Sequence, residues 1–327
     1  MSRVFVAFAI LLVVAGGLAG GTALKGVIWY HSPGPLAAET ALVVPRGGLG
    51  GIARTLEQAG AIDDARFFAA AAWFTRDEGE IRAGEYAIPA GASPQAVLAL
   101  IRSGHVVMHR LTVPEGTATA QVLALVDAAD ALDGAVTRVP GEGELFPDTY
   151  LYARGEHRQA LVDLMRRRMN DELAELWPKR RPDLALADPH EAVILASIVE
   201  KETALGPERP KIAGVFLNRL RLGMRLQSDP TVIYAVTGGR EKLGRPLDKA
   251  DLALASPYNT YATDGLPPGP IANPGRAALE AVLNPETTDA LYFVADGSGG
   301  HVFAATLEEH RRNVEAWRKI EPHGAGR

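Results

Sequence analysis

Ala192-Val-Ile-Leu-Ala-Ser-Ile-Val-Glu-Lys-Glu-Thr203 decides how the rest of the chain is read. Eight uncharged, mostly apolar residues run unbroken into Glu200, and Glu202 follows two positions later. Asp188 is placed to cap a helix, Pro189 fits its first position, and Glu191 completes a capping-box pattern. Gly206-Pro207 supplies the stop. On that helix Glu200 shares a face with Val193, Ala196 and Ser197. Desolvation over an apolar stripe and the negative end of the helix dipole both disfavour a carboxylate, so the Glu200 pKa is expected to rise toward that of a general acid. A glutamate near a helix end is also commonly a solvated face residue. The segment alone leaves both readings open.

Working outward, the 327 residues predict about two domains, and 47% hydrophobic with 22% charged residues is the composition of a folded chain. A net charge of −5 argues against a nucleic-acid partner. Absence of cysteine excludes disulfides, thiolate zinc sites, iron–sulfur clusters and cysteine nucleophiles. Residues 4–24 contain no charge and are flanked by Arg3 and Lys25. Such a run spans about 30 Å, so an uncleaved transmembrane anchor is expected over residues 4–28, after a cytoplasmic tail at 1–3. Gly17-Leu18-Ala19 offers the alternative of signal-peptide cleavage.

Beyond a linker at residues 29–40, Val44-Pro-Arg-Gly47, Ile88-Pro-Ala-Gly91 and Val113-Pro-Glu-Gly116 each close an apolar stretch. Apolar residues at helical spacing follow each one, which predicts three strand–turn–helix units, with a further short strand at Gly84-Glu-Tyr-Ala-Ile88. Units of this kind serve as ligand binders or as spacers. Residues 157–177 read as an amphipathic helix with Leu161, Met165, Met169, Leu173 and Leu176 inward. Residues 210–222 form the second arm of a helical hairpin. Asp229-Pro230 reads as N-cap and first position of another helix, and Asp229 is the candidate second carboxylate. Ser256-Pro-Tyr-Asn-Thr-Tyr261 and Gly265-Leu-Pro-Pro-Gly-Pro-Ile-Ala-Asn-Pro-Gly275 are too rich in Pro and Gly for regular structure. Their aromatic, amide and hydroxyl groups suit carbohydrate, or a plain surface connection. Asn273-Pro274 reads as a cap, residues 291–305 as a hairpin, and Thr306 with Glu309 as a capping box.

Phosphate loops of standard spacing, His-Glu-x-x-His and the Gly-x-Ser-x-Gly elbow are all missing, and His105 and His109 lack an acidic partner in sequence. Carboxylate acid–base chemistry is what remains, with no cofactor and no metal expected. The motifs from Ala196 to Thr203, Val215-Phe-Leu-Asn-Arg-Leu220, Met224-Arg-Leu-Gln-Ser-Asp-Pro-Thr-Val-Ile-Tyr234 and the two loops above closely resemble the YceG/MltG-type endolytic murein transglycosylases. Phe146-Pro-Asp-Thr-Tyr150 also fits, and Ser228 stands where relatives often carry threonine.

That resemblance implies an α+β protein: the anchor, a LysM-like module at 41–108, a connecting unit at 109–139, a catalytic domain at 140–322 with its glutamate near a helix end, and a tail at 323–327. It implies a single-pass inner-membrane protein with a periplasmic catalytic domain, acting on peptidoglycan glycan strands and partnered with peptidoglycan synthases. The implied lyase reaction cuts between N-acetylmuramic acid and N-acetylglucosamine within the strand, leaves 1,6-anhydro ends and terminates nascent strands. Glu200 aligns with the catalytic glutamate. Gln227, Asp229, Tyr258, Asn259, Tyr261 and Glu202 are expected to bind substrate or support the site. The rival readings are a hydrolytic muramidase, with Asp229 or Glu202 as second carboxylate, and an inactive glycan-binding scaffold.

Overall fold

The computed structural model describes residues 14, 17 and 20–320. These residues fall into two units, one running up to His109 and joined by Tyr152–Gly155, the other made of Arg110–Leu151 and the residues from Glu156 onward. The first unit begins with helix α1 over residues 20–31. Then come β1 (Thr40–Val44), α2 (Leu49–Gln58), α3 (Ala65–Phe74), β2 (Gly84–Ile88) and α4 (Pro94–Ser103). β1 and β2 pair antiparallel, with Thr40 opposite Ile88 and Val44 opposite Gly84. Each strand stops at the residue before a proline, which has no N–H to extend a ladder. Ile52, Ala53 and Leu56 of α2 and Val97, Leu98 and Ile101 of α4 turn inward at the expected helical spacing. With Phe68, Tyr86 and Ile88 they form this unit's core.

β3 (Met108–Thr112) pairs with β4 (Thr149–Ala153), and α5 (Thr119–Asp127) lies between them in sequence. The second unit continues with α6 (Arg158–Leu176), α7 (Pro189–Glu202), α8 (Arg209–Arg221), α9 (Asp229–Thr237), α10 (Lys249–Leu252) and α11 (Arg276–Leu283). The hairpin of β5 (Tyr292–Ala295) and β6 (His301–Ala304) and helix α12 (Leu307–Ile320) close it.

Helix α7 is the axis of the second unit. Every residue from 192 to 199 is buried, as expected for a helix that is apolar on all sides, and α6, α8 and α11 contribute to the core around it. Full burial of Ile194, Leu195, Ile198 and Val199 contributes roughly 1.5–3 kcal/mol each. Charge returns only at Glu200, so the core delivers two carboxyls at its C-terminal edge.

Four expectations change. The anchor expected over residues 4–28 lies largely outside the described residues, and among the described residues no helix is long and apolar enough to cross a membrane. The transmembrane helix, the inner-membrane partner, the cytoplasmic N-terminus and the periplasmic placement are therefore corrected; nothing described supports them. Asp188 caps α7 as read, accepting from the Glu191 N–H, but the Glu191 carboxylate reaches the Ala187 N–H and does not close the reciprocal box. The N-cap of α9 is Ser228, not Asp229, which is already helical. Asn273 does not cap α11 either; Gly275 holds that position. The Asn273 amide is fully buried, accepting from the Leu145 N–H at 2.8 Å and donating to the Thr117 carbonyl at 2.8 Å.

Candidate active site

Two residues of helix turn a side chain by about 200°, so Glu200 and Glu202 leave α7 into different surroundings. The Glu200 side chain is 4% exposed and fully engaged. Its Oε1 accepts from Arg209 Nη2 at 2.7 Å, and its Oε2 from the Gly275 N–H at 3.0 Å. Burial lifts its pKa, and the Gly275 N–H and the Arg209 charge oppose that lift. Glu115 closes the cluster 3.6 Å from Arg209. A Cβ at 275 would meet the Glu115 carboxyl and displace it from the cluster.

Glu202 has no such cation bonded to it. Its Oε1 accepts the hydroxyl of Ser228, and burial carries its pKa up to about 7, with the neighbouring charge of Asp229 adding to the rise. The Ser228 hydrogen bond is the main pull the other way, with His301 and Arg219 adding to it. A carboxyl near 7 can both give and take a proton at neutral pH. Tyr261 donates to Asp229 Oδ1 at 2.6 Å, and burial beside that carboxylate keeps the phenol protonated.

A strained piece of backbone delivers Ser228. Gln227 has φ of +49°, a left-handed conformation rare for a residue with a side chain. Thr260, fully buried, holds it there: its carbonyl accepts the Gln227 N–H at 3.1 Å and its hydroxyl accepts the Ser228 N–H at 3.0 Å. The Thr231 hydroxyl lies 2.8 Å from the same Thr260 oxygen. Thr260→Val keeps the shape and removes that acceptor. Losing Ser228's charge-assisted bond, worth about 1.5 kcal/mol, is expected to raise the Glu202 midpoint by about one pH unit. Thr260→Ser is expected to leave it in place, and carbon NMR titration of the Glu202 carboxyl reads both. An unmoved midpoint in Thr260→Val would show that Thr260 does not position Ser228.

The expected site residues thus separate. Glu202, Gln227, Asp229 and Tyr261 gather at one place. Asn259 is fully buried, its amide donating to the Leu252 and Leu254 carbonyls at 3.0 and 2.9 Å, which ties the 256–261 loop to the end of α10. Tyr258 lines a separate cavity with Glu142. Arg209, Gly275 and Thr260 have local sequence contexts with no chemical signal, and sequence reading passed them over. Ser228 carried a signal in its hydroxyl. Among the described residues no group of three or more His, Asp or Glu side chains could hold a metal ion.

The fold and this site define an α+β unit centred on a pair of carboxyls, Glu200 and Glu202. The chain belongs to the YceG-like family, matched over residues 42–316. It is 42% identical over 180 residues to the endolytic murein transglycosylase of Bacillus subtilis, covering 54% of this chain and 48% of that protein. It is 31% identical over 312 residues to the endolytic murein transglycosylase of Streptococcus pneumoniae serotype 2, covering 80% of this chain and 55% of that protein. The chain therefore spans about half the length of the curated relatives it matches. The crystal structure of a yceG-like protein from Listeria monocytogenes superposes with a TM-score of 0.53 at 28% identity, covering 84% of this chain and 98% of that one.

Proposed function

We propose that this chain is an endolytic lytic transglycosylase of peptidoglycan, and that Glu202 rather than Glu200 moves the proton. The observation that carries the assignment is the Glu202 carboxyl, raised to about 7 and held by a neutral hydroxyl. Glu200, expected from sequence to do this work, has both oxygens committed to Arg209 and Gly275. Protonated Glu202 donates to the oxygen joining N-acetylmuramic acid to N-acetylglucosamine, and the C1–O bond breaks. As carboxylate it then accepts the proton of the muramoyl C6 hydroxyl as that oxygen bonds to C1. The attack is intramolecular, so no water has to be positioned and one carboxyl serves both steps. Asp229, oriented by the Tyr261 hydroxyl, keeps the Glu202 proton in place and stabilises positive charge at C1. Gln227 is a substrate contact beside them, and the LysM-like reading of residues 41–108 makes that segment a glycan binder.

One observation favours a second reading. Asp229 is a carboxylate close enough to raise the Glu202 pKa, and a hydrolytic muramidase uses such a pair. Digestion of uncrosslinked glycan strands, followed by mass spectrometry of the ends, separates the two. The expected products carry anhydro-muramoyl ends, one water lighter than reducing ends. Reducing ends alone would establish hydrolysis.

A further inference from the structure

A cavity of about 590 Å³ opens at the N-terminal end of α7, remote along that helix from Glu202. Its size is within the range of small-ligand sites. Tyr258, Pro268, Pro270, Glu142 and Asn170 are among the residues that line it. Glu142 Oε1 accepts the Thr119 N–H at 2.7 Å, while Oε2 accepts the Tyr234 hydroxyl at a longer 3.3 Å. The Tyr234 and Tyr258 rings meet at 4.9 Å between centroids, so the carboxyl and the aromatic face are held as one assembly.

Two segments tie this cavity to the Glu202 site. Helix α9 begins at Asp229, beside Glu202, and five residues later Tyr234 reaches Glu142, a rise of about 7.5 Å. The 256–261 loop does the same, with Tyr261 on Asp229 and Tyr258 in the cavity wall. The lining also selects by charge. Arg166 is neutralised by Glu144 at 2.9 Å; Asp188 and Glu142 are acidic, burial pushing the Glu142 pKa up, and His190 is the other basic side chain in the lining, so the balance disfavours an anionic ligand. An aromatic face, rigid apolar walls and a carboxylate acceptor match a neutral sugar ring that carries hydroxyl and amide N–H donors.

We propose that this cavity is a subsite for an uncharged N-acetylglucosamine-type residue, one that holds the strand on one side of the bond cleaved at Glu202. The assignment rests on the proposed function and adds which sugar is gripped, and where. A strand cut internally has to be held beyond the scissile bond, and the acidic lining excludes the lactyl carboxylate of a muramoyl unit that lacks its peptide.

Calorimetric titration of the full chain with tetra-N-acetylchitotetraose tests it. Wild type is expected to bind. Tyr258→Ala is expected to weaken binding at least tenfold, and so is Asn170→Trp, which fills the cavity from an exposed position on α6 without removing a core contact. On uncrosslinked glycan both variants are expected to raise KM by a similar factor with kcat little changed. Wild-type binding that neither variant weakens, or no binding by wild type, overturns the subsite. If glycan is still cut to anhydro ends in that case, the proposed function stands and only the subsite falls. If wild type cuts no glycan at all, the function itself has failed.

Discussion

Glu202→Gln is expected to abolish cleavage of uncrosslinked glycan, lowering kcat by about 10³-fold or more, because it removes the group proposed to give and take the proton. The same substitution should not cost stability. A carboxyl whose folded pKa is raised to about 7 favours the fold while protonated, and that contribution is lost as pH rises through the folded value. Glutamine never ionises, so at pH 8 the variant's thermal midpoint is expected to equal or exceed that of wild type. In wild type the rate should fall as pH rises past about 7, because the protonated form is the donor. Asp229→Asn, which withdraws a charge that raises the Glu202 pKa, should move that limb to lower pH. A Glu202→Gln protein that folds normally and still cuts glycan would end the assignment.

Glu200→Gln is expected to behave in the opposite way, failing first in stability. The substitution leaves the Arg209 guanidinium, 12% exposed, with only the half-exposed Glu115 as counter-charge at 3.6 Å. It also turns an amide toward a cation or toward the Gly275 N–H. Breaking a buried pair from one side costs about 3–5 kcal/mol, and Glu115 compensates part of that. A loss of about 3 kcal/mol lowers the midpoint of a unit this size by about 6–12 °C. Residual activity at low temperature, where the variant remains folded, should retain the wild-type alkaline limb, since Glu202 is untouched. If Glu200 were an ordinary solvated residue, the change would cost under about 0.5 kcal/mol. If it were the proton donor, activity would vanish while the midpoint stayed in place. Differential scanning fluorimetry and glycan digestion on the same samples separate the three outcomes.

Much of the second unit could be read locally. Asp188 and Pro189 start α7 where capping chemistry says they should, and the unbroken apolar run at 192–199 is buried throughout. In the first unit the prolines after Val44 and Ile88 mark strand ends because proline cannot extend a ladder. The choice between Glu200 and Glu202 was not legible in the same way. Both lie in one motif, and what separates them comes from far along the chain, Gly275 for one and Ser228 for the other. Asp229 illustrates the same limit. Asp-Pro is a good helix start, but Thr260 accepts the Ser228 N–H and shifts the cap by one residue, leaving Asp229 free to receive Tyr261. Asn259 stood out because amides bind sugars, yet its donors are used on its own loop.

The glutamate cluster also bears on when the chain acquires its chemistry. Glu200 meets its backbone partner across 75 positions, and Lys201 next to it reaches the Gly116 carbonyl across 85. Loops of that length close late, because their entropy is spent before their contacts are made. Until they close, the C-terminal turn of α7 is open to water, and both glutamates titrate as ordinary carboxylic acids, fully ionised at neutral pH. A nascent or misfolded chain therefore carries no proton to donate. On the proposed function, activity appears only once the chain has closed on itself, and half-made copies of the protein leave the glycan uncut.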